Sequence, residues 1–414
     1  MTTRVVITGM GMVSPLGTSV DVTWRRLMAA ETAVAPITDF PTDGFPTQIA
    51  AQAKDFDPAQ YLDVKEVRRT ARFTQLAVAA TAQALQDASL NLEFIDRRRV
   101  GLQIGSAIGG ISVIEEQTLV LRAEGARRIN PTFVPTVIIS AAPCHLAVRY
   151  GIHGPTGAPA AACATGIVAL GDALHWLQGG ELDAVLAGGT ESTVTPLALA
   201  SFSRLGALST RNDDPAHACR PFDISRDGTV LGEGSAVLVL ETLEHARKRG
   251  ARILGELLGY GLMEDGFHMT APEPNGAGAA MAMHAALRSA RVAPEAIDLL
   301  VAHGTGTPLN EVAETKAIHH VFGDHARRLV VISNKGSIGH TLGAAGAVST
   351  VVALKTMLDG WAPPTANLQT PDPECDLDYV PGKPRQVNVG TALVNAIGFG
   401  GQNASLIVRR WHDE

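Results

Sequence analysis

The chain has 414 residues and a formal charge of −7, with 46% hydrophobic and 18% charged residues. That length exceeds what one core usually serves and predicts two domains or two fused half-domains. The negative balance argues against a general nucleic-acid binder but leaves room for a local basic patch.

Taken in chain order, "RVVITGMG" reads as a strand that starts almost at the N-terminus, without the charged and apolar regions of a secretory leader. Gly9 and Gly11 in "TGMGMVSPLG" lack the third glycine of a dinucleotide-binding turn, and Ser14-Pro15 interrupts a helix start, so a tight turn after the first strand is expected. One helix follows from about Val67 to Ala88. Next come "RVGLQIGSA", a helix after Cys163, "DAVLAGGTE" and "SAVLVLETL". A charged segment, "EHARKRGARILGELLGYG", precedes a second series: "GAAMAMHAALRSA", "IDLLVAHGTGT", "RRLVVISNKGSIGH", a helix after His340, and "TALVNAIGFGGQNASLIVRR". Short β-branched runs alternating with Ala-rich amphipathic stretches predict α/β layers. The division falls near residue 250, giving halves 1–250 and 251–414. No repeat or low-complexity linker is evident, so the halves are expected to pack together. No glycine-rich stretch ends in Gly-Lys-Ser or Gly-Lys-Thr, which removes a phosphate-cradling loop. Four cysteines, Cys144, Cys163, Cys219 and Cys375, form no CxxC pair or disulfide scaffold, which fits reduced thiols in a cytoplasm. No apolar run approaches the roughly eighteen residues of a membrane span.

Cys163 carries the chemical question. Ile167, Leu170, Leu174 and Leu177 follow it at helical spacing, and Gly166 marks close packing near the first turn. The thiol then sits at the positive end of a helix, where thiolate is favoured and free N–H groups point outward. A small cysteine fitted among alanines is the ordinary alternative. His303 directly follows the apolar run "LLVA", at the carboxyl end of a strand. Lys335 and His340 repeat that context in "VVISNKGSIGH". Each alone would be structural or a surface charge, but together they form a constellation that can converge on a thiol from the other half. Phe399, between glycines in "NAIGFGGQNASLI", stands in a turn able to present amide N–H groups to an oxyanion.

These stretches together, with "RPFDISRDGTVLGEG" and "FHMTAPEPNGAGAAMAM", resemble the β-ketoacyl-[acyl-carrier-protein] synthases, the elongating condensing enzymes of type II fatty-acid and polyketide synthesis. The resemblance runs from "VVITGMGMVSPLG" to "GFGGQNASLIV". It implies a thiolase-like fold of two fused, similar halves in alternating α-β-α-β-α layers, usually dimeric, with no cofactor and no metal. It implies that Cys163 accepts an acyl chain from an acyl carrier protein, and that His303 and His340 hold the carbonyl of malonyl-carrier protein during decarboxylation. Backbone N–H groups of Cys163 and Phe399 would stabilise the condensation oxyanion, with Lys335 keeping both histidines neutral. Thr305 and Thr307 match hydroxyls that position the pantetheine arm, and Ile108, Phe202 and Phe399 match positions lining or gating the acyl pocket. Charge suggests where an acidic carrier protein would dock: Lys65, Arg68, Arg69 and Arg72 at helical spacing, with Arg127 and Arg128 as a second basic pair.

The chain departs from the family pattern at several positions. Glu311 stands where Asp is common and Ser349 where Glu is common, so Glu311 or Glu314 is expected to neutralise a buried Lys335. Gln402, Thr229 and Pro143-Cys144 also differ, which leans the reading towards a specialised polyketide ketosynthase, as a homodimer or paired with a related chain-length subunit. A non-catalytic chain-length subunit, a thiolase acting on coenzyme A esters and a Cys-His hydrolase are the rivals. Cys163, His303 and His340 together argue against the first. The absence of a second cysteine from "GFGGQNA" argues against the second, and the pair of histidines without a water-activating acid against the third.

Overall fold

The structure, a computed structural model, describes residues 3–412. Strand β1 (Val5–Val13) is buried at every position, as expected where both faces of a sheet are covered. Gly9 and Gly11 lie within this strand, and the turn comes later, at Ser14–Gly17. A Cβ at these glycines would stand 2.4 Å from Ala84 O and 2.0 Å from Ala80 O. Their missing side chains let helix α1 (Arg72–Asp87) lie directly on the strand.

Strands β2 (Val100–Gly105), β3 (Thr156–Gly157), β4 (Ala184–Glu191) and β5 (Gly234–Thr242) complete a sheet with spatial order β1-β5-β4-β2-β3. Strands β6 (Gly255–Glu264), β7 (Leu299–Val301), β8 (Val330–Ile332), β9 (Thr391–Ile397) and β10 (Gln402–Arg410) follow the same plan, β6-β10-β9-β7-β8. In each set the first strand pairs antiparallel with the fifth, and the fifth antiparallel with the fourth. The fourth, second and third run parallel in both. One topology is therefore used twice, without a visible sequence repeat. The sets join edge to edge where Val5–Ile7 pairs with Gly255–Leu257.

Helix α1 covers the outer face of the first set and helix α3 (Ala277–Ala290) that of the second, with α4 (Asn310–Phe322) packed on α3. Between the sheets lie α2 (Thr165–Gln178) and α5 (Ala345–Asp359), packed together and touching strands of both sets. This is the α-β-α-β-α layering of the thiolase-like fold. The inner core joins Ile167, Leu170 and Leu174 of α2 to Ala347, Val351 and Leu354 of α5. The crossing is close because glycines line it: a Cβ on Gly166 would stand 2.7 Å from Ala347 N, and one on Gly346 2.7 Å from Ile167 N. The segment Leu342–Asp359 is long and apolar enough to cross a membrane, but most of it is buried as this middle layer.

The single helix expected from Val67 to Ala88 is two helices. Asp63 and Glu66 form a reciprocal capping box that starts a short helix, Val64–Arg69. Thr70 and Ala71 are extended, and α1 begins afresh at Arg72. The break turns Arg72 inward, where its guanidinium donates to both oxygens of Glu233 at 2.8 and 2.7 Å and to Ala53 O at 2.9 Å.

Gly171 of α2 faces strand β6, and a Cβ there would stand 2.3 Å from Tyr260 Cγ. Gly171→Ala gains about 1 kcal/mol of helix propensity, but overpacking a buried contact costs about 1–3 kcal/mol. Since the atom met belongs to a ring core rather than a flexible tip, the clash should prevail. A urea titration should show a lowered midpoint with an unchanged slope.

Candidate active site

Cys163 sits two residues before the first residue of α2. The preceding residue, Ala162, has φ +46°, a strained value for a residue with a side chain. Two hydrogen bonds hold this bend: Thr165 Oγ1 accepts from Ala161 N at 2.8 Å and donates to Ala162 O at 2.7 Å. The turn Phe399–Gly401 closes over it. Gly400 and Gly401 have φ +86° and +91°, and a Cβ on Gly398 would stand 3.0 Å from Ala161 O. The backbone N–H groups of Phe399 and of Cys163 itself both face the sulfur, so the bend and the turn aim two donors at one point.

His303 follows β7, and His340 lies between β8 and α5. His340 Nε2 is 3.0 Å from Cys163 Sγ. The two imidazoles meet edge to face with centroids 5.2 Å apart, and one ligand atom from each of the three residues lies within 4.8 Å of the others. The cysteine and two histidines picked out of separate halves thus share one site. Neither His303 Nδ1 nor His340 Nδ1 has a hydrogen-bond partner among the described residues, so no second group fixes either tautomer.

Burial sets the protonation states. It pushes the Cys163 thiol up to about 11, against the opposing pull of the Lys335 charge and the Phe399 N–H. The thiolate expected from the helix start is therefore not the resting form. Burial first, and the Lys335 charge second, hold both imidazoles well below their ordinary range, so they are neutral. Lys335 is itself lowered by burial, and its Nζ donates to His303 O.

The carboxylates expected for Lys335 act on it through charge without touching it. Among the described residues Lys335 makes no ion pair, and Ser349 Oγ accepts from Asn334 Nδ2 at 3.4 Å instead. Glu314 braces the other side of His303, accepting from His303 N at 2.8 Å and Gly304 N at 2.9 Å, so its charge reaches the lysine across a peptide rather than by contact. Glu311 turns away to Gly306 N at 2.5 Å and to Arg226 at 3.7 Å. Arg226 also donates to Thr307 O and Pro308 O, both at 3.0 Å. That clamp shapes the turn bearing Thr305 and Thr307, whose hydroxyls are 3.0 Å apart.

A cavity of about 280 Å³ opens onto the sulfur, lined by His303, His340, Thr305, Thr307, Phe202 and Phe399 among others. Phe202 and Phe399 stack across it with centroids 6.2 Å apart. Ile108 does not line this space but belongs to the apolar cluster around Cys163, with Leu199, Leu208, Leu342 and Phe202. Thr229 lines the cavity, whereas Gln402 and Ser349 do not. His268 and Thr270 also form its wall; they lie in a quoted family stretch but had no assigned role. Glu191 and Arg226 were missed altogether, although an acid ending the apolar run "AVLAGGTE" was a legible signal.

Of the basic residues, Lys65, Arg68, Arg69 and Arg127 are exposed and make no ion pair among the described residues. Arg128 pairs with Glu124 at 3.1 Å. Arg72 leaves the patch for Glu233.

The family model for "Beta-ketoacyl synthase, N-terminal domain" matches residues 2–246, and that for "Beta-ketoacyl synthase, C-terminal domain" matches residues 254–369. Over 410 residues the chain is 46% identical to the 3-oxoacyl-[acyl-carrier-protein] synthase 2 of Coxiella burnetii, covering 99% of each. A solved beta-ketoacyl synthase from Burkholderia phymatum STM815 superposes with TM-score 0.93 at 36% identity, over 99% of this chain and 100% of that one. A type II polyketide synthase acyl-carrier protein in complex with its ketosynthase gives TM-score 0.92 at 33% identity, over 99% and 100%.

A thiol near 11 with neutral imidazoles beside it makes a kinetic prediction. Alkylation of Cys163 by iodoacetamide, followed peptide by peptide in a mass spectrometer, should quicken about tenfold per pH unit between about pH 7 and pH 10, because only thiolate reacts. A plateau by about pH 8 would mean an ion pair with imidazolium at rest.

Proposed function

The chain belongs to the β-ketoacyl synthase family and is a condensing acyltransferase; on that premise we propose how its residues divide the reaction. Cys163 Sγ attacks the thioester of an acyl-carrier protein, and His340 Nε2, 3.0 Å away, takes the thiol proton during the attack because the thiol is not ionised at rest. The proton leaves with the departing pantetheine thiolate. Malonyl-carrier protein then enters; because no group among the described residues holds Nδ1, the His340 proton now sits on Nε2, and the thioester oxygen lies between the N–H donors of His303 and His340. Loss of CO₂ leaves an enolate that two neutral donors stabilise. Its carbon attacks the acyl-Cys163 carbonyl, the new carbon–carbon bond forms, and the carbon–sulfur bond breaks to release Cys163 as thiolate, which takes up a proton from solvent to return to the resting thiol. The N–H groups of Cys163 and Phe399 hold the intervening oxyanion. Thr305 and Thr307 position the pantetheine arm, Phe202 and Phe399 shape the acyl pocket, and Ile108 backs it from the apolar cluster around Cys163. The observation that carries this reading is the meeting of one thiol and two neutral imidazoles at a single cavity.

Residues 1–250 and 251–414 act as the two halves, each supplying one side of that cavity. The carrier protein docks on Lys65, Arg68, Arg69, Arg127 and Arg128. A second subunit, identical or a related chain-length partner, covers the exposed apolar side chains Leu119, Leu121, Val134, Ile138 and Val148, in the mutually packed segments between 111 and 150. Extension of ordinary acyl chains fits the 46% identity to a curated 3-oxoacyl-[acyl-carrier-protein] synthase 2. The polyketide reading rests on Thr229, which of the departures at 229, 349 and 402 is the one in the cavity wall.

With malonyl- and acyl-carrier proteins the wild type should elongate. Cys163→Ala should lose acylation and keep malonyl decarboxylation, whereas His303→Ala should keep acylation and lose decarboxylation; equal loss of both activities in both variants would contradict the division. Reversing charge at Arg68 and Arg69 should raise KM for the carrier protein and flatten its salt dependence while leaving kcat near wild type.

A further inference from the structure

Glu191 ends strand β4 and is fully buried. Its Oε1 accepts from Ser106 Oγ at 2.8 Å, and its Oε2 accepts from Ala107 N at 2.7 Å and Gly343 N at 3.1 Å. The N–H of Ile108 faces the same carboxylate, and Ser106 Oγ accepts from Gly109 N at 2.9 Å. One side chain therefore grips two separate pieces of backbone. The first is the loop after β2 that carries Ile108. The second is the bend His340–Gly343, which carries one imidazole of the site and Leu342.

The surroundings are shaped for this grip. A Cβ on Gly343 would stand 2.7 Å from Glu191 Oε2 and 2.6 Å from Ala107 N, and one on Gly189 would stand 2.2 Å from Gly343 O. Leu342 has φ +42°, a conformation that a branched side chain adopts only when its neighbours impose it. Ile108 and Leu342 meet Cys163 and Phe202 in one apolar cluster. Burial pushes the Glu191 carboxyl up to about 7, and its hydrogen bonds oppose that shift. Burying a carboxylate without such donors is expensive, and nothing in the reaction steps above uses it.

We infer that Glu191 is a positioning residue for acylation: it fixes the loop whose Ile108 packs in the apolar cluster around Cys163 against the bend bearing His340, so that sulfur and imidazole are held in one register. This rests on the condensing-enzyme reading. Glu191 also has a second effect on the sulfur. Of the groups that face Cys163, Lys335 favours the thiolate, Glu191 opposes it, and His303 and His340 are neutral.

The test is Glu191→Gln, which keeps the shape but, with its amide nitrogen turned to Ser106 Oγ, swaps an acceptor for a donor there and leaves Ala107 N and Gly343 N an uncharged oxygen in place of a carboxylate. Acyl transfer from acyl-carrier protein to Cys163, read by mass spectrometry, should slow about 10²-fold, the scale of an ångström's misplacement. The pH profile of Cys163 alkylation should move to lower pH with wild-type melting, because the opposing charge is gone; a shift accompanied by lowered melting would instead mark a site opened to water and overturns the inference. An unchanged acylation rate overturns the inference, as does a slowed one with an unmoved alkylation profile. If Glu191→Gln does not fold, Ser106→Ala decides: slower acylation with wild-type melting supports the inference, and unchanged acylation overturns it. Wild-type protein that cannot be acylated refutes the condensing-enzyme reading itself, whereas normal wild-type acylation matched by Glu191→Gln refutes only the role of Glu191.

Discussion

The architecture turns on one helix crossing. Helices α2 and α5 come from different halves and touch where Gly166 and Gly346 leave no side chain between them. Cys163 immediately precedes one helix, and His340 precedes the other by a short bend. Bringing the two N-termini together therefore brings sulfur and imidazole together, at 3.0 Å. The repeated strand order makes this a matched pair, since each residue lies between the third strand of its set and the following central helix. The duplication supplies two equivalent corners, and the sequence has placed a different reactive group in each.

Exclusion of water then governs the chemistry. The thiol, both imidazoles, the lysine and three carboxylates near the cavity are all buried. Each is pushed towards its neutral form by desolvation, with hydrogen bonds and neighbouring charges working for or against it. The outcome is a site with little standing charge in which donors are fixed in advance. Such a site stabilises charge that appears during a reaction better than one already filled with ions. Glu314 and Lys335 illustrate the economy of the arrangement: they hold the N–H and C=O ends of His303 and fix an uncharged ring by its backbone.

Much of this could be read from the chain. A thiol before a helical run and histidines after apolar strands are local patterns, and the strands and helices placed on them are present. What escaped depends on contacts far apart in sequence. The break at Thr70 accompanies Arg72 reaching Glu233, a partner 161 positions away. The thiolate expected at a helix start yields to burial, which spacing alone does not report. Glu311 and Glu314 act on Lys335 through charge at a distance rather than by contact, because both acids are engaged by backbone N–H groups of the 303–306 turn, which sequence cannot anticipate. The topological repeat left no trace because a strand order constrains which positions are apolar, not which residues fill them.

The middle layer also orders events during synthesis. Helix α2 emerges early, but the surface it buries against α5 belongs to residues 345–359, and strands β9 and β10 follow at 391–410. A ribosome that has released the entire front half has therefore produced one sheet and half of the middle layer, with the face of α2 that α5 will cover open to solvent until residues 345–359 appear. Shielding by chaperones would matter most in that interval, and a truncated message would yield a sticky product rather than a stable half-enzyme.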